Sequence, residues 1–177
     1  LLAHVRVRRA AGRECADIEQ ALWALDAEHP TLFDEPTLCA EFTRLGPAEA
    51  ALRRLARVRR SLRGKGCEGV DRGLALRELQ RSLDAGLPVS PQRVRRLQRE
   101  LPQGLHAGQY RPEAWWILAR ALAATGADAE ARTCVAQARD WIARARLPDL
   151  GPDTRACFER GNPLNRVVLS EAVITPR

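Results

Sequence analysis

The sequence predicts an all-α fold in which antiparallel helix pairs stack as an α-solenoid. Three observations favour this fold: apolar residues recur at three- and four-residue steps, no segment alternates as a strand does, and glycines recur at long, similar intervals. The glycines that carry this repeat are Gly12, Gly46, Gly86 and Gly126, separated by 34, 40 and 40 residues. Intervals of this size are typical of repeat proteins whose unit is one helix pair, so about four pairs are expected.

Helices are expected wherever the apolar spacing is helical. They cover residues 1–11, 15–28, 36–45, 47–62, 73–85, 91–101, 112–125 and 127–146. After Gly46, for example, Leu55, Val58 and Leu62 keep three- and four-residue steps while arginines occupy the other faces. Prolines separate several of these helices, because the residue before a proline disfavours the helical conformation. One short helix near 153–160 is expected to cover the last pair within an otherwise irregular, proline-containing tail.

The breaks between helices divide the chain into four segments. These are two helix pairs in 1–62, a degenerate pair with flexible linkers in 63–111, the most regular pair in 112–146 and an irregular capping tail in 147–177. The stretch from Gly64 to Gly69 is the best internal boundary because it holds three glycines. It also spells G-x-G-x-x-G, but a dinucleotide site needs this motif between a strand and a helix. A flexible linker is therefore favoured over a cofactor site.

One segment matches a known repeat motif. It runs Trp115-x-x-Leu118-Ala119-x-x-Leu122-x-x-x-Gly126, followed by Glu130-Ala131, Val135 and Ala138. This pattern resembles the tetratricopeptide repeat (TPR), with a large residue opening the first helix and small residues where the two helices cross. A second copy from Leu38 to Val58 lacks the opening tryptophan, and poorer copies surround Gly12 and Gly86. The resemblance implies a stacked array whose first helices form a concave binding surface.

The tail also resembles a known group of proteins. Its sequence, Phe158-Glu-Arg160-Gly-Asn162-Pro163-Leu-Asn165-Arg166-Val-Val-Leu169, is similar to the end of large bacterial regulators. In those proteins a STAND-type ATPase or a DNA-binding transcriptional activator precedes a TPR-like sensor array. The chain also lacks methionine and opens with Leu1-Leu2-Ala3. We therefore expect a piece of a larger bacterial signalling or regulatory protein.

The sequence carries no recognisable catalytic or metal-binding motif, so the chain is expected not to be an enzyme. His4, His29 and His106 lie far apart, and no nucleophile elbow or phosphate-binding loop is present. Five cysteines without a C-x-x-C pair favour small buried side chains in a reducing cytoplasm over a zinc site. No apolar run is long enough to cross a membrane, and neither a cofactor nor a metal is predicted.

The expected function is therefore that of a non-catalytic protein–protein interaction scaffold or sensor module in the cytoplasm. The chain carries 29 basic and 22 acidic residues, a formal net charge of +7. The partner should accordingly be an acidic protein or peptide, or another domain of the same polypeptide. Candidate groove residues are Trp116, Arg120 and Thr43. Adjacent tryptophans on a helix point about 100° apart, so Trp116 can line the groove if Trp115 packs inside the repeat.

Two other interpretations stay open. The first is a helical nucleic-acid-binding protein that uses the Arg-rich segment 53–65, which contains no acidic residue. Three of its arginines, Arg53, Arg57 and Arg60, are also candidates for binding a protein partner. Against nucleic acid, the segment lacks aromatic residues for base stacking, and its arginines could instead be solvated or pair with acids on a neighbouring helix. The second is a regulatory enzyme whose catalytic domain lies upstream of Leu1.

Overall fold

Every regular element in the described part of the chain is a helix, which confirms the all-α prediction. The computed structural model describes residues 15–104, 109–144 and 151–170. The helix predicted over 1–11 lies outside these residues, as do the last two residues of the helix predicted over 127–146. Among the described helices, none has the length and the apolar character that a membrane crossing requires.

The chain divides into two compact units, Leu1–Gly86 (unit 1) and Leu87–Arg177 (unit 2). The described helices of unit 1 are α1 (Ala16–Glu28), α2 (Pro36–Phe42), α3 (Ala48–Leu62) and α4 (Glu68–Asp84). Those of unit 2 are α5 (Pro91–Glu100), α6 (Arg111–Ala124), α7 (Asp128–Arg144), α8 (Pro152–Ala156) and α9 (Pro163–Ser170). A 3₁₀ turn follows α5 at Leu101–Gln103, and a π-helical turn follows α8 at Cys157–Gly161. The division at Gly86 therefore falls inside the segment 63–111.

The core of unit 1 is built around the amphipathic helix α3. Its buried apolar residues Ala51, Leu55 and Val58 follow the predicted helical spacing, and Leu55 and Val58 form one cluster with Cys39 of α2 and Leu74 of α4, the helix with which α3 packs most extensively. A second cluster joins α1 to α2, where the rings of Phe33 and Phe42 stack with centroids 4.1 Å apart. The core of unit 1 therefore consists of two clusters, and α2 contributes to both of them, through Phe42 to one and through Cys39 to the other.

Unit 2 is organised by the pair α6 and α7, which the TPR-like motif predicted as helices. Most of α6 is buried, and α6 packs on α7 more closely than any other two described helices pack on each other. The turn between them contains Gly126, where the Ala127 N–H donates to the carbonyl of Leu122 at 2.9 Å. This bond closes the end of α6 and directs the chain back along it.

The stretch from Gly64 to Gly69, which was predicted to be an internal boundary, lies inside unit 1, because the two units divide at Gly86. Gly64 and Gly66 adopt positive φ angles of 71° and 68° and form a turn, while Gly69 already lies inside α4. The helices on either side, α3 and α4, pack against each other within unit 1. Glycine can specify a tight left-handed turn as well as a loose linker, and sequence alone does not separate the two uses. Because Gly69 was assigned to the linker, the start of α4 was predicted at residue 73, five residues after its actual start at Glu68.

The tail is more regular than its prolines suggested. The expected short helix near 153–160 is present as α8 and the following π-helical turn, but α9 was not predicted. Pro163 is the first residue of α9, where a proline has no hydrogen bond to lose and its fixed φ suits the helix. The Asn162 Oδ1 accepts the N–H of Leu164 at 3.0 Å, which satisfies one of the free donors of the new helix.

Polar contacts hold the tail against α7 and against Tyr110, the residue before α6. Asn165 is fully buried; its Oδ1 accepts the Tyr110 hydroxyl at 2.6 Å, and its Nδ2 donates to the Phe158 carbonyl at 2.9 Å. Farther along, the Arg139 Nε donates to the carbonyl of Val168 at 2.8 Å. The asparagines of the tail motif therefore have a structural explanation in this chain, because they cap α9 and anchor it.

Three of the five cysteines are buried, as the sequence predicted, and two are not. Cys15, Cys39 and Cys134 are buried as expected, whereas Cys67 is half-buried and Cys157 is exposed, so the prediction is wrong for these two. Burial raises the pKa of Cys39 to about 12 and the pKa of Cys134 to about 11. Because the neutral thiols are favoured in the folded state, their contribution to stability is lost as the pH rises above about 9.

We expect the folded chain to react unevenly with a thiol reagent such as DTNB at about pH 8. Cys157 should react first because it is exposed, while Cys39 and Cys134 should react only after denaturation, because they are buried and protonated. Mass spectrometry of tryptic peptides after brief labelling identifies the modified residues. Rapid labelling of Cys39 in the native chain would contradict the burial of this side chain on α2.

Candidate binding groove on unit 1

An open groove of about 460 Å³ lies between α1 and α3. Its lining side chains come from the facing sides of these two helices: Trp23 and Asp26 from α1, and Ala50, Arg53, Arg54, Ala56, Arg57 and Arg60 from α3. The structure therefore brings together the three arginines that the sequence singled out in the segment 53–65. We call this feature the α1/α3 groove.

The floor of the groove is a buried ion-pair network centred on Arg54. Its side chain is only 6% exposed and pairs with Asp26 on α1 and, at 2.8 Å, with Asp34 in the loop before α2. The Arg54 Nη1 also donates to the Pro30 carbonyl at 3.2 Å, and the guanidinium lies 5.3 Å from the centre of the Phe42 ring. Because these partners come from α1, the loop and α2, one side chain on α3 links all three to that helix.

The basic wall of the groove consists of Arg53, Arg57 and Arg60, which are all exposed. Arg53 pairs with Glu49 one turn earlier in α3, and both side chains are largely in solvent. Arg57 donates to Asp34 and to the Pro30 carbonyl, each at 2.7 Å. Arg60 has no ion-pair partner among the described residues. An exposed pair contributes only about 0–1 kcal/mol, so these arginines can exchange such partners for a ligand's carboxylates.

The opposite wall is provided by Trp23, which sequence reasoning missed. Its indole packs on the Phe42 ring with centroids 4.4 Å apart, and it lies against Gly46, which has no side chain to obstruct it. Trp23 is half-buried, so part of the ring remains available to the groove. Only the fold brings Trp23 to α3, since its own helix holds no distinctive motif.

The sequence analysis also did not distinguish the buried Arg54 from the exposed arginines beside it. It stands three residues after Ala51 and four before Val58, and it therefore falls on the apolar stripe of α3. A charged residue inside such a stripe is buried only when it is paired. The position of Arg54 on this stripe therefore could have predicted a buried ion pair from the sequence.

The remaining cations of the segment 53–65 are divided between pairing and solvent. Arg59 forms a two-point ion pair with Asp71 at 2.8 and 3.0 Å and also reaches Glu78 at 2.8 Å, both on α4. Burial acts to lower the pKa of Arg59, but these two carboxylates outweigh it and raise the pKa above its ordinary value. Of the seven cations in the segment, Arg60, Arg63 and Lys65 have no ion-pair partner among the described residues. Pairing with neighbouring acids thus accounts for the other four.

The three candidates outside this segment are placed differently. Thr43 was predicted to line a binding groove, and this is wrong because its side chain is fully buried and its hydroxyl donates to the Cys39 carbonyl at 2.6 Å. Trp116 is half-buried and packs, with Trp115, against the cluster of Ala138, Ile142 and Val168. Arg120 is half-buried on α6. Trp116 and Arg120 belong to unit 2, so the structure does not gather these candidates with the groove arginines in one unit.

The α1/α3 groove is equipped to bind anions. Four of its eight lining residues are arginines and only one, Asp26, is acidic, and that carboxylate is already paired with Arg54. Within residues 15–104, 109–144 and 151–170, no group of three or more His, Cys, Asp or Glu side chains could hold a metal ion. Guanidinium groups suit planar carboxylates, which they can bind through two parallel hydrogen bonds.

Comparisons of the chain with protein-family models, with curated protein sequences and with solved structures found no match. The resemblance to TPR arrays and to bacterial regulators therefore stays a prediction from the quoted motifs. The charge and geometry of the groove are the basis on which a function can be proposed.

Proposed function

We propose that the chain is a non-catalytic protein-interaction module whose α1/α3 groove binds an acidic segment of a partner protein, or of another domain of the same polypeptide. The observation that carries this proposal is the row of three exposed arginines facing one groove, of which Arg60 lacks an ion-pair partner among the described residues. In a larger bacterial regulator, of the kind that the tail motif resembles, such a module would act as a scaffold or sensor.

The architecture of the groove supports specific binding over loose attraction of anions. The floor is held by the Arg54 network, so the α3 backbone that carries the wall arginines is already ordered before a ligand binds, and only their side chains have to be immobilised. Trp23, Ala50 and Ala56 add apolar surface beside the charges. A partner that carries both carboxylates and apolar side chains can therefore gain from both kinds of contact.

The test compares two double variants that change the net charge equally. Arg53→Glu/Arg60→Glu alters the groove, and Arg132→Glu/Arg144→Glu alters α7 in unit 2. The two variants replace arginines in similar surroundings. Arg53 and Arg144 each pair with an acid one turn earlier. Arg60 and Arg132 are both exposed and have no ion-pair partner among the described residues. Binding of a fluorescein-labelled peptide of about 20 residues rich in glutamate and leucine is measured by fluorescence anisotropy.

We expect the groove variant to weaken peptide binding by about tenfold or more and the α7 variant to weaken it less than about twofold. Affinity of the unaltered chain should also fall between about 50 mM and 500 mM salt, because the charges are exposed. Equal losses in both variants would contradict a site in the groove. Tighter binding of a single- or double-stranded oligonucleotide than of the peptide would favour the nucleic-acid interpretation instead.

A further inference from the structure

We infer that the acidic segment bound by the α1/α3 groove is an α-helix lying along α3, with its acidic side chains on one face at alternating intervals of three and four residues. This inference rests on the proposed function and adds the conformation of the partner to it. Three features of the groove carry it: the spacing of its arginines, the helical nature of both walls, and the small residues beside Trp23.

The spacing of the arginines matches a helix better than an extended strand. Arg53, Arg57 and Arg60 are four and three residues apart, which corresponds to steps of about 6 and 4.5 Å along the axis of α3. On an extended chain, side chains of one face recur about every 6.6 Å, so they match the first step and miss the second. A partner helix whose acids alternate at three and four residues reproduces both steps.

The walls of the groove favour a partner that satisfies its own backbone. Both walls are helices, and the backbone groups of their middle turns are hydrogen-bonded within each helix. An extended peptide would bring unpaired N–H and C=O groups into the groove, where it finds neither a sheet edge nor free backbone to bind. A helical partner brings no such groups, and all its contacts can be made by side chains.

Small residues allow close approach of such a helix. Ala50 and Ala56 line the groove together with Trp23 and the arginines of α3, and their short side chains occupy little of it. Helices pack at about 8–10 Å between axes, and small side chains permit the shorter distances. The partner face should therefore carry a large apolar residue, such as leucine, between its acids, where it can cover Trp23.

The inference is tested with three peptides of about 20 residues binding to the full chain. The phased peptide places glutamates at alternating three- and four-residue intervals with leucines between them. The reordered peptide has the same composition with its glutamates spread around the helix. The third peptide is the phased one with a central proline, which disrupts the helix. Binding is measured by anisotropy, and the change in helix content is measured by circular dichroism.

We expect the phased peptide to bind at least about tenfold more tightly than the other two and to gain helix content on binding. The gain in affinity should disappear in the Arg53→Glu/Arg60→Glu variant. If all three peptides bind equally and this variant weakens each of them, the groove binds acidic segments but the helical partner is refuted. If no peptide binds, the proposed function fails together with the inference.

Discussion

Replacing Arg54 by methionine is expected to lower the free energy of unfolding of unit 1 by about 3–5 kcal/mol. Methionine fills much of the same space but leaves the buried carboxylate of Asp26, which is 8% exposed as a residue, without its cation. Asp34 and the Pro30 carbonyl lose a donor at the same time. Breaking one side of a buried pair costs more than the pair itself contributes, because an uncompensated charge remains in a poorly solvated place.

The matched control is Arg53→Met on the neighbouring position of the same helix. Its pair with Glu49 is exposed, so its loss should cost less than about 1 kcal/mol. Urea unfolding followed by circular dichroism gives both values, and hydrogen exchange resolved by peptide assigns the loss to α1 and α3. Adding Asp26→Leu to Arg54→Met should recover part of the stability, because apolar replacements of a buried pair are often tolerated. A cost for Arg54→Met no larger than that of the control would show that the network does not hold the groove floor.

The fold was predictable where helical patterning is strong. The spacing of Leu55 and Val58 predicted α3, and the motif beginning at Trp115 predicted α6 and α7, because a buried stripe must follow the period of the helix. The unpredicted helix α9 has a different origin. Its first residue is Pro163, and the same residue type that ends one helix can begin another.

The candidate site was predictable only on its α3 side. Spacing alone places Arg53, Arg57 and Arg60 on one face of a helix, because four- and three-residue steps keep side chains aligned. The residues that complete the groove, Trp23 and Asp26, are contributed by α1, and the pair Asp26–Arg54 spans 28 residues of sequence. Contacts of that range depend on how the helices pack, which neither periodicity nor composition specifies.

Replacing Gly46 by alanine is expected to have the second large effect on stability. Gly46 is one of the four repeated glycines and also contacts Trp23 of the groove. Gly46 adopts a φ of +63°, where an alanine is strained by about 1–2 kcal/mol. Its new Cβ would also lie 2.7 Å from the Trp23 Cδ1 and closer still to the Nε1, so the indole must move off Phe42. We expect the free energy of unfolding to fall by about 2–5 kcal/mol in total, since overpacking adds about 1–3 kcal/mol to the backbone strain.

Gly86→Ala separates the two causes. Gly86 follows the end of α4 in unit 1 and, like Gly46, has a positive φ, here +66°, but an added Cβ there meets no atom within 4 Å. Its replacement should therefore cost only the backbone strain of about 1–2 kcal/mol. Urea unfolding of both variants measures the difference, and weaker binding of the acidic peptide by Gly46→Ala alone would report the displacement of Trp23. An equal loss in the free energy of unfolding in the two variants would mean that the Trp23 indole is not held against Gly46. The aromatic wall of the groove would then have no fixed position, and Trp23 could not contribute to specific binding of a partner.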